Sequence, residues 1–236
     1  MNTLQRMAAW LMVSLVAGCG GGGSDAGSSL YTASGPGAPL YGDGTGTTTP
    51  TSIMVTASSS TLDSGGDPLT LTAVVKDSSG ALLAGVAVTF STGAGTALTA
   101  VDTVTNAVGV ASAVLSVTTD KSVRNVNVNV TAGSLNATLV LGVTGTTLAY
   151  TGPTATTVGT ATDVGVKLTD SKGVAISGIA VTIANTNTTS NHLSATTATT
   201  DAQGNISIVF TPGALGSDTL FFTGAGTTAT AAIAIN

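Results

Sequence analysis

From about residue 51 onward, apolar side chains recur at every second position, the period of a strand that buries one face. Leu69, Leu71, Ala73 and Val75 share one face of such a segment, and Val86, Val88 and Phe90 share one face of the next. The most regular run is Val126-Asn127-Val128-Asn129-Val130-Thr131, with valines on one side and amides or a hydroxyl on the other. Between the runs stand turn tetrapeptides such as Asp77-Ser78-Ser79-Gly80 and Asp170-Ser171-Lys172-Gly173. In these, the Asp side chain caps the turn and the Gly takes the positive φ. The pattern predicts short strands separated by tight turns.

The pattern also occurs twice. Asp77 and Asp170, Gly80 and Gly173, and Gly85 and Gly178 are each 93 positions apart. Asn106-Ala107-Val108-Gly109 and Asp201-Ala202-Gln203-Gly204 are 95 apart. Thr219-Leu220-Phe221-Phe222-Thr223, before Gly224-Ala225-Gly226, is the counterpart of the valine run. A unit of about 93 residues with around seven short strands has the size of an immunoglobulin-type sandwich. The expected fold is therefore all-β: two tandem Ig-like Greek-key β-sandwiches at 51–143 and 144–236. The short join Gly142-Val143-Thr144-Gly145 predicts a semi-rigid pair.

The first fifty residues follow no such period. Arg6 and the apolar run from Met7 to Val16 have the form of a signal peptide, and the run is too short to span a bilayer. Val16-Ala17-Gly18-Cys19 then matches a lipobox. The small residues admit the signal peptidase, and the Cys19 thiol takes the lipid. Residues 1–18 are thus expected to be a signal peptide, with palmitate-type acylation at Cys19 holding the chain in the membrane. Gly20 stands where inner-membrane lipoproteins commonly carry Asp, so the outer membrane is expected, with the modules surface-exposed. Residues 19–50, rich in Gly, Ser, Thr and Pro, predict a disordered linker. Its ~30 residues would span roughly 30 Å as a coil.

Composition narrows the functional classes. Only 7% of the 236 residues are charged and the formal net charge is −5. The eleven acidic residues are all Asp. The mature part has five basic residues, Lys76, Lys121, Arg124, Lys167 and Lys172, scattered along the chain. Nucleic-acid binding needs clustered cations to neutralise phosphates, so no nucleic-acid partner is expected. Cys19 is the one Cys, which excludes an intrachain disulfide and thiolate metal sites.

With these elements in place, the chain resembles the bacterial Ig-like domains of the invasin/intimin type. The resemblance rests on Asp77-x-x-Gly80, Gly85-Val86-x-Val88-Thr89-Phe90, Thr105-Asn106-x-x-Gly109 and Val130-x-Ala132-Gly133, in that order. The second copy repeats it as Asp170-x-x-Gly173, Gly178-x-x-Val181-Thr182 and Thr200-Asp201-x-x-Gly204. It departs at Phe222-Thr223-Gly224-Ala225, where the family has Val-x-Ala-Gly, and Asn106 stands where Asp is usual. The resemblance implies surface display and adhesion, with a protein or host-surface ligand. The family's β-barrel and lectin-like tip have no counterpart here, so no receptor-binding residue carries over. An envelope spacer, periplasmic or assembly-related, is the alternative function.

No catalytic residues are expected. His192 is the single His and falls in a polar stretch with no nucleophile motif around it. No cofactor is expected beyond the lipid on Cys19. Asp63-Ser64-Gly65-Gly66-Asp67 reads as ordinary turn residues. Asp63 and Asp67 are nonetheless the residues that would serve Ca²⁺ if the chain bound it. Glycan-binding modules usually present aromatic platforms, and almost every aromatic beyond the linker alternates inward, which disfavours that class.

Overall fold

The structure, a computed structural model, describes residues 49–236. The signal segment, Val16-Ala17-Gly18-Cys19 and nearly all of the predicted linker lie outside the described residues. The first sandwich is built from β1 (Ser52–Ala57), β2 (Thr61–Asp63), β3 (Leu69–Lys76), β4 (Thr89–Thr92), β5 (Thr96–Thr99), β6 (Val110–Val117), β7 (Arg124–Ala132) and β8 (Leu135–Thr144). The second is built from β9 (Thr147–Tyr150), β10 (Ala155–Thr156), β11 (Thr162–Thr169), β12 (Ala180–Asn185), β13 (His192–Leu193), β14 (Thr197–Thr199), β15 (Asn205–Thr211), β16 (Gly216–Gly224) and β17 (Thr227–Ile235).

These strands form four sheets. The first sandwich stacks β1-β3-β6-β5 on β2-β8-β7-β4, and the second stacks β13-β15-β11-β9 on β10-β17-β16-β12-β14. Strands distant in sequence become neighbours, as β3 pairs with β6 and β4 with β7, the Greek-key arrangement. The first edge strand of each sandwich is broken and serves both sheets. β1 runs antiparallel to β3, whereas β2 runs parallel to β8. β9 and β10 do the same with β11 and β17. This division is the main reason each sandwich has more strands than the seven expected.

The inward faces are those the alternation predicts. Leu71, Ala73, Val75, Val128 and Val130 are fully buried in the first core, beside Leu115 and Phe90. Val166, Leu168, Phe210, Leu220 and Phe222 fill the second. Each of these Val, Leu and Phe side chains contributes about 1.5–3 kcal/mol through removal from water, and Ala73 less. In the run Leu220-Phe221-Phe222 the pleat sends Phe221 outward, and it is 37% exposed.

Two-residue hairpins close β7–β8 and β16–β17. Gly133 takes φ 60° in the first. In the second, Ala225 and Gly226 take φ 51° and 72°, so a Cβ-bearing residue occupies a left-handed position that costs about 1 kcal/mol.

Candidate functional site

The turn between β11 and β12 is built from its own sequence and then used as a contact. Asp170 Oδ1 accepts hydrogen bonds from the N–H groups of Lys172 (3.0 Å) and Val174 (2.9 Å). Asp77 caps its turn alike, accepting from the N–H groups of Ser79 (2.8 Å) and Ala81 (2.9 Å). Asp170, however, faces the first sandwich. Lys121 Nζ donates to its Oδ2 at 2.5 Å, with the carboxylate 1% exposed and the lysine side chain 25%. Burial works against the Asp170 charge, yet the hydrogen bonds from Lys121, Val174 and Lys172 prevail and hold its carboxyl below the ordinary range.

The remaining contacts of this joint come from the β2–β3 loop. Ser171 Oγ donates to Asp63 Oδ1, and Gly65 N–H donates to the same oxygen at 2.7 Å. Ser171 N–H donates to Ser64 Oγ at 3.0 Å. Lys172 Nζ donates to Asp67 Oδ1 at 2.5 Å, and this bond raises the lysine pKa. On the other side of the joint, Val123 N–H donates to Ala225 O at 2.8 Å. Three glycines permit this approach, and a Cβ on one of them, Gly145, would lie 2.5 Å from Ser171 Cβ. A Cβ on Gly65 would lie 2.6 Å from Ser171 Oγ, and one on Gly226 would lie 2.2 Å from Val123 O. Between β8 and β9 only Gly145 and Thr146 intervene, and Thr146 Oγ1 donates to Lys121 O.

Asp63 and Asp67, the Ca²⁺ candidates, thus sit in the joint with their carboxylates engaged by a hydroxyl, an N–H and an ammonium. Among the described residues, no group of three or more His, Cys, Asp or Glu is placed to hold a metal ion. His192 lies in the two-residue strand β13, paired with Thr211, rather than in the polar connection expected from sequence. Its side chain is exposed. Cys19, Val16, Ala17 and Gly18 lie outside the described residues. Two open clefts line the first sandwich. One, of about 310 Å³, lies between Val55–Ala57 and Leu139–Leu141; the other, of about 430 Å³, is bounded by Pro50, Gly85 and Gly133. Neither is lined by an ionisable side chain.

Sequence reasoning missed Asp218. It is 1% exposed, on β16, beneath the β12–β13 connection. Oδ1 accepts from Thr186 N–H (2.9 Å), Thr186 Oγ1 (2.6 Å) and Asn187 N–H (3.0 Å). Oδ2 accepts from Asn185 Nδ2 and Asn191 Nδ2, both at 2.8 Å. Burial opposes the charge, but five donors outweigh it and the pKa falls to about 2. Those donors leave no free lone pair for a cation, so the carboxylate acts as an anchor for the loop. Its signal in sequence was an Asp at an inward position of an alternating run, where the first copy has Val126.

No family model matches the chain, and no curated protein matches it. Solved structures do. The D0–D1 domain of intimin is 22% identical, at TM-score 0.35, over 78% of this chain and 98% of that one. Invasin, described as a bacterial integrin-binding protein, is 18% identical at TM-score 0.40, over 78% of this chain and 39% of its own. FdeC, an Escherichia coli adhesin, is 17% identical at TM-score 0.39, over 80% of this chain and 66% of that one. Likeness at this level says nothing about ligand or activity. The sandwich architecture stands on the strand pairing and the two cores themselves.

Proposed function

We propose that this chain is a non-catalytic lipoprotein, anchored through Cys19, that displays two Ig-like sandwiches at the cell surface for adhesion or protein–protein contact. In this reading residues 1–18 are removed, residues 19–50 tether the modules to the outer membrane, and the sandwiches occupy 51–143 and 144–236. The observation that supports it best is the joint. Lys121–Asp170 and Asp67–Lys172 connect the modules side chain to side chain, Ser171 N–H to Ser64 Oγ backbone to side chain, and Val123–Ala225 backbone to backbone. A pair coupled in this way loses less orientational entropy on engaging a distant partner than two independently swinging modules would.

Protease treatment of intact cells tests the display. Loss of the protein before the membrane is broken supports surface adhesion. Protection until lysis overturns it in favour of a periplasmic spacer, which the same joint would serve. Cys19→Ser should release the chain from the membrane fraction; unchanged fractionation would refute the anchor.

A further inference from the structure

The outer face of the sheet β10-β17-β16-β12-β14 has an unusual make-up. Its strands contain one ionisable side chain, Asp218, and that one points inward. The outward positions are Thr, Ala and Ser, with one exception. Phe221 stands at the middle of β16, paired with Ala184 on β12 and Thr230 on β17, and flanked on its own strand by Thr219 and Thr223. Its cross-strand partners are small, and it is 37% exposed. One row beyond it, Thr197, Thr182, Thr223 and Thr228 are register partners in sequence across four strands. The Thr223 and Thr228 hydroxyls are bonded to each other at 3.2 Å. The hydroxyls of Thr182 and Thr230 make no hydrogen bond to another described residue.

We propose that this face, centred on Phe221, binds a neutral polysaccharide. The inference extends the display reading by naming a ligand class, and the binding itself does not depend on where the chain sits. A flat aromatic ring takes the apolar C–H face of a pyranose, and hydroxyls at strand spacing donate to and accept from the sugar hydroxyls around it. Neighbouring rows repeat at about 4.8 Å across strands and about 6.8 Å along them, the scale of single sugar rings. The absence of charge selects against acidic glycans and gives no electrostatic steering for a protein partner. Protein interfaces draw on Arg, Met, Tyr, Trp and Phe, and of these Phe221 alone stands on this face of the strands. The first sandwich carries Asn129 at the position of Phe221, counted from the matching hairpins, so it lacks the platform.

The test is retention of the purified full-length chain, in detergent micelles, by neutral polysaccharides in affinity electrophoresis. Starch, mannan, xyloglucan and a β-1,3-glucan serve as probes, with heparin and hyaluronate as acidic comparators. We expect retardation by at least one neutral glycan and by neither acidic one. Phe221→Ala should weaken binding by about tenfold, the loss of one aromatic contact, at an essentially unchanged melting temperature. Phe221→Trp should keep or strengthen binding, and Asn129→Ala should leave it unchanged. Retention indifferent to Phe221→Ala, a preference for the acidic polymers, or no retention by any neutral glycan overturns the proposal. So does a Phe221-dependent attachment to target cells that protease treatment of those cells abolishes and periodate does not, which would assign the face to a protein. None of these failures bears on the protease test of surface display, which stands or falls separately.

Discussion

The two sandwiches share a topology and solve the same packing problem with exchanged residues. In the first, Phe90 on β4 is paired with Val130 on β7; in the second, Ile183 on β12 is paired with Phe222 on β16. The large ring has moved from one partner to the other while the pair keeps its approximate volume. Cores tolerate such exchanges because total volume and inward alternation, more than residue identity, specify the fold. The second core is the richer in rings: Phe210 lies where the first has Leu115, and Tyr150 approaches Phe222 at 5.9 Å between centroids.

The sandwiches differ more in their polar chemistry, and the differences follow from what each end meets. At the end of the first sandwich, Ser64 and Val123 face the second. Their counterparts are Val158 and Leu215, and Leu215 is 76% exposed. Between the Gly85/Gly178 pair and the Asn106/Asp201 pair the repeat offset grows from 93 to 95, so two residues are inserted there. The insertion falls where the β12–β13 connection arches over Asp218. A longer loop has more polar backbone to satisfy, and a buried carboxylate replaces the valine of the first copy to do it.

The largest expected effect separates the cores. Phe222→Ala should cost the second sandwich about 3–5 kcal/mol, and Val130→Ala the first about 2 kcal/mol, read as separate shifts in a calorimetric scan. Equal shifts would mean that the ring does not dominate the second core. Asp218→Ala leaves Asn187 N–H and the Asn191 amide without their acceptor, while Thr186 N–H and the Asn185 amide keep Thr219 O and Asn187 O. It should cost about 3 kcal/mol in the second transition alone. The native carboxyl titrates near 2 instead of 3.8, so its contribution of roughly 2 kcal/mol is complete above about pH 4 and is lost as pH falls toward 2. Asp218→Asn should remove that acid dependence from the second transition; an unchanged profile would reject the assignment.

Asp170→Ala should cost about 2 kcal/mol, because it frees the turn N–H groups and also leaves Lys121 unpaired in the joint. Asp77→Ala loses only the turn and should move its transition less. The reverse order would break the claim that the joint, and not the turn alone, employs Asp170. The smallest effect sharpens the core comparison. Val130→Phe alone overpacks, but combined with Phe90→Ile it imports the arrangement of the second sandwich and should return to within about 1.5 kcal/mol of the wild type.

Much of the architecture is legible in the order of residues. The inward faces of β3 and β7, the Asp-capped turns at Asp77 and Asp170, and the doubled all-β architecture follow from local rules: a period of two, an Asx cap and a glycine at positive φ. These depend on neighbours within a few residues, and the chain states them twice. The division of the edge strands, the strand β13 at His192 and the outward ring of Phe221 depended on which strands pair and on which way the pleat runs. The joint is further still from the sequence. Ser64 and Ser171 are separated by 107 positions, and nothing in either turn announces the other. Alternation, turns and duplication are thus properties of the chain as written. That Asp63, Asp67 and Asp170 hold two sandwiches together, and that Asp218 anchors a loop, came from folding alone, because a carboxylate's role is set by the donors that folding brings to it.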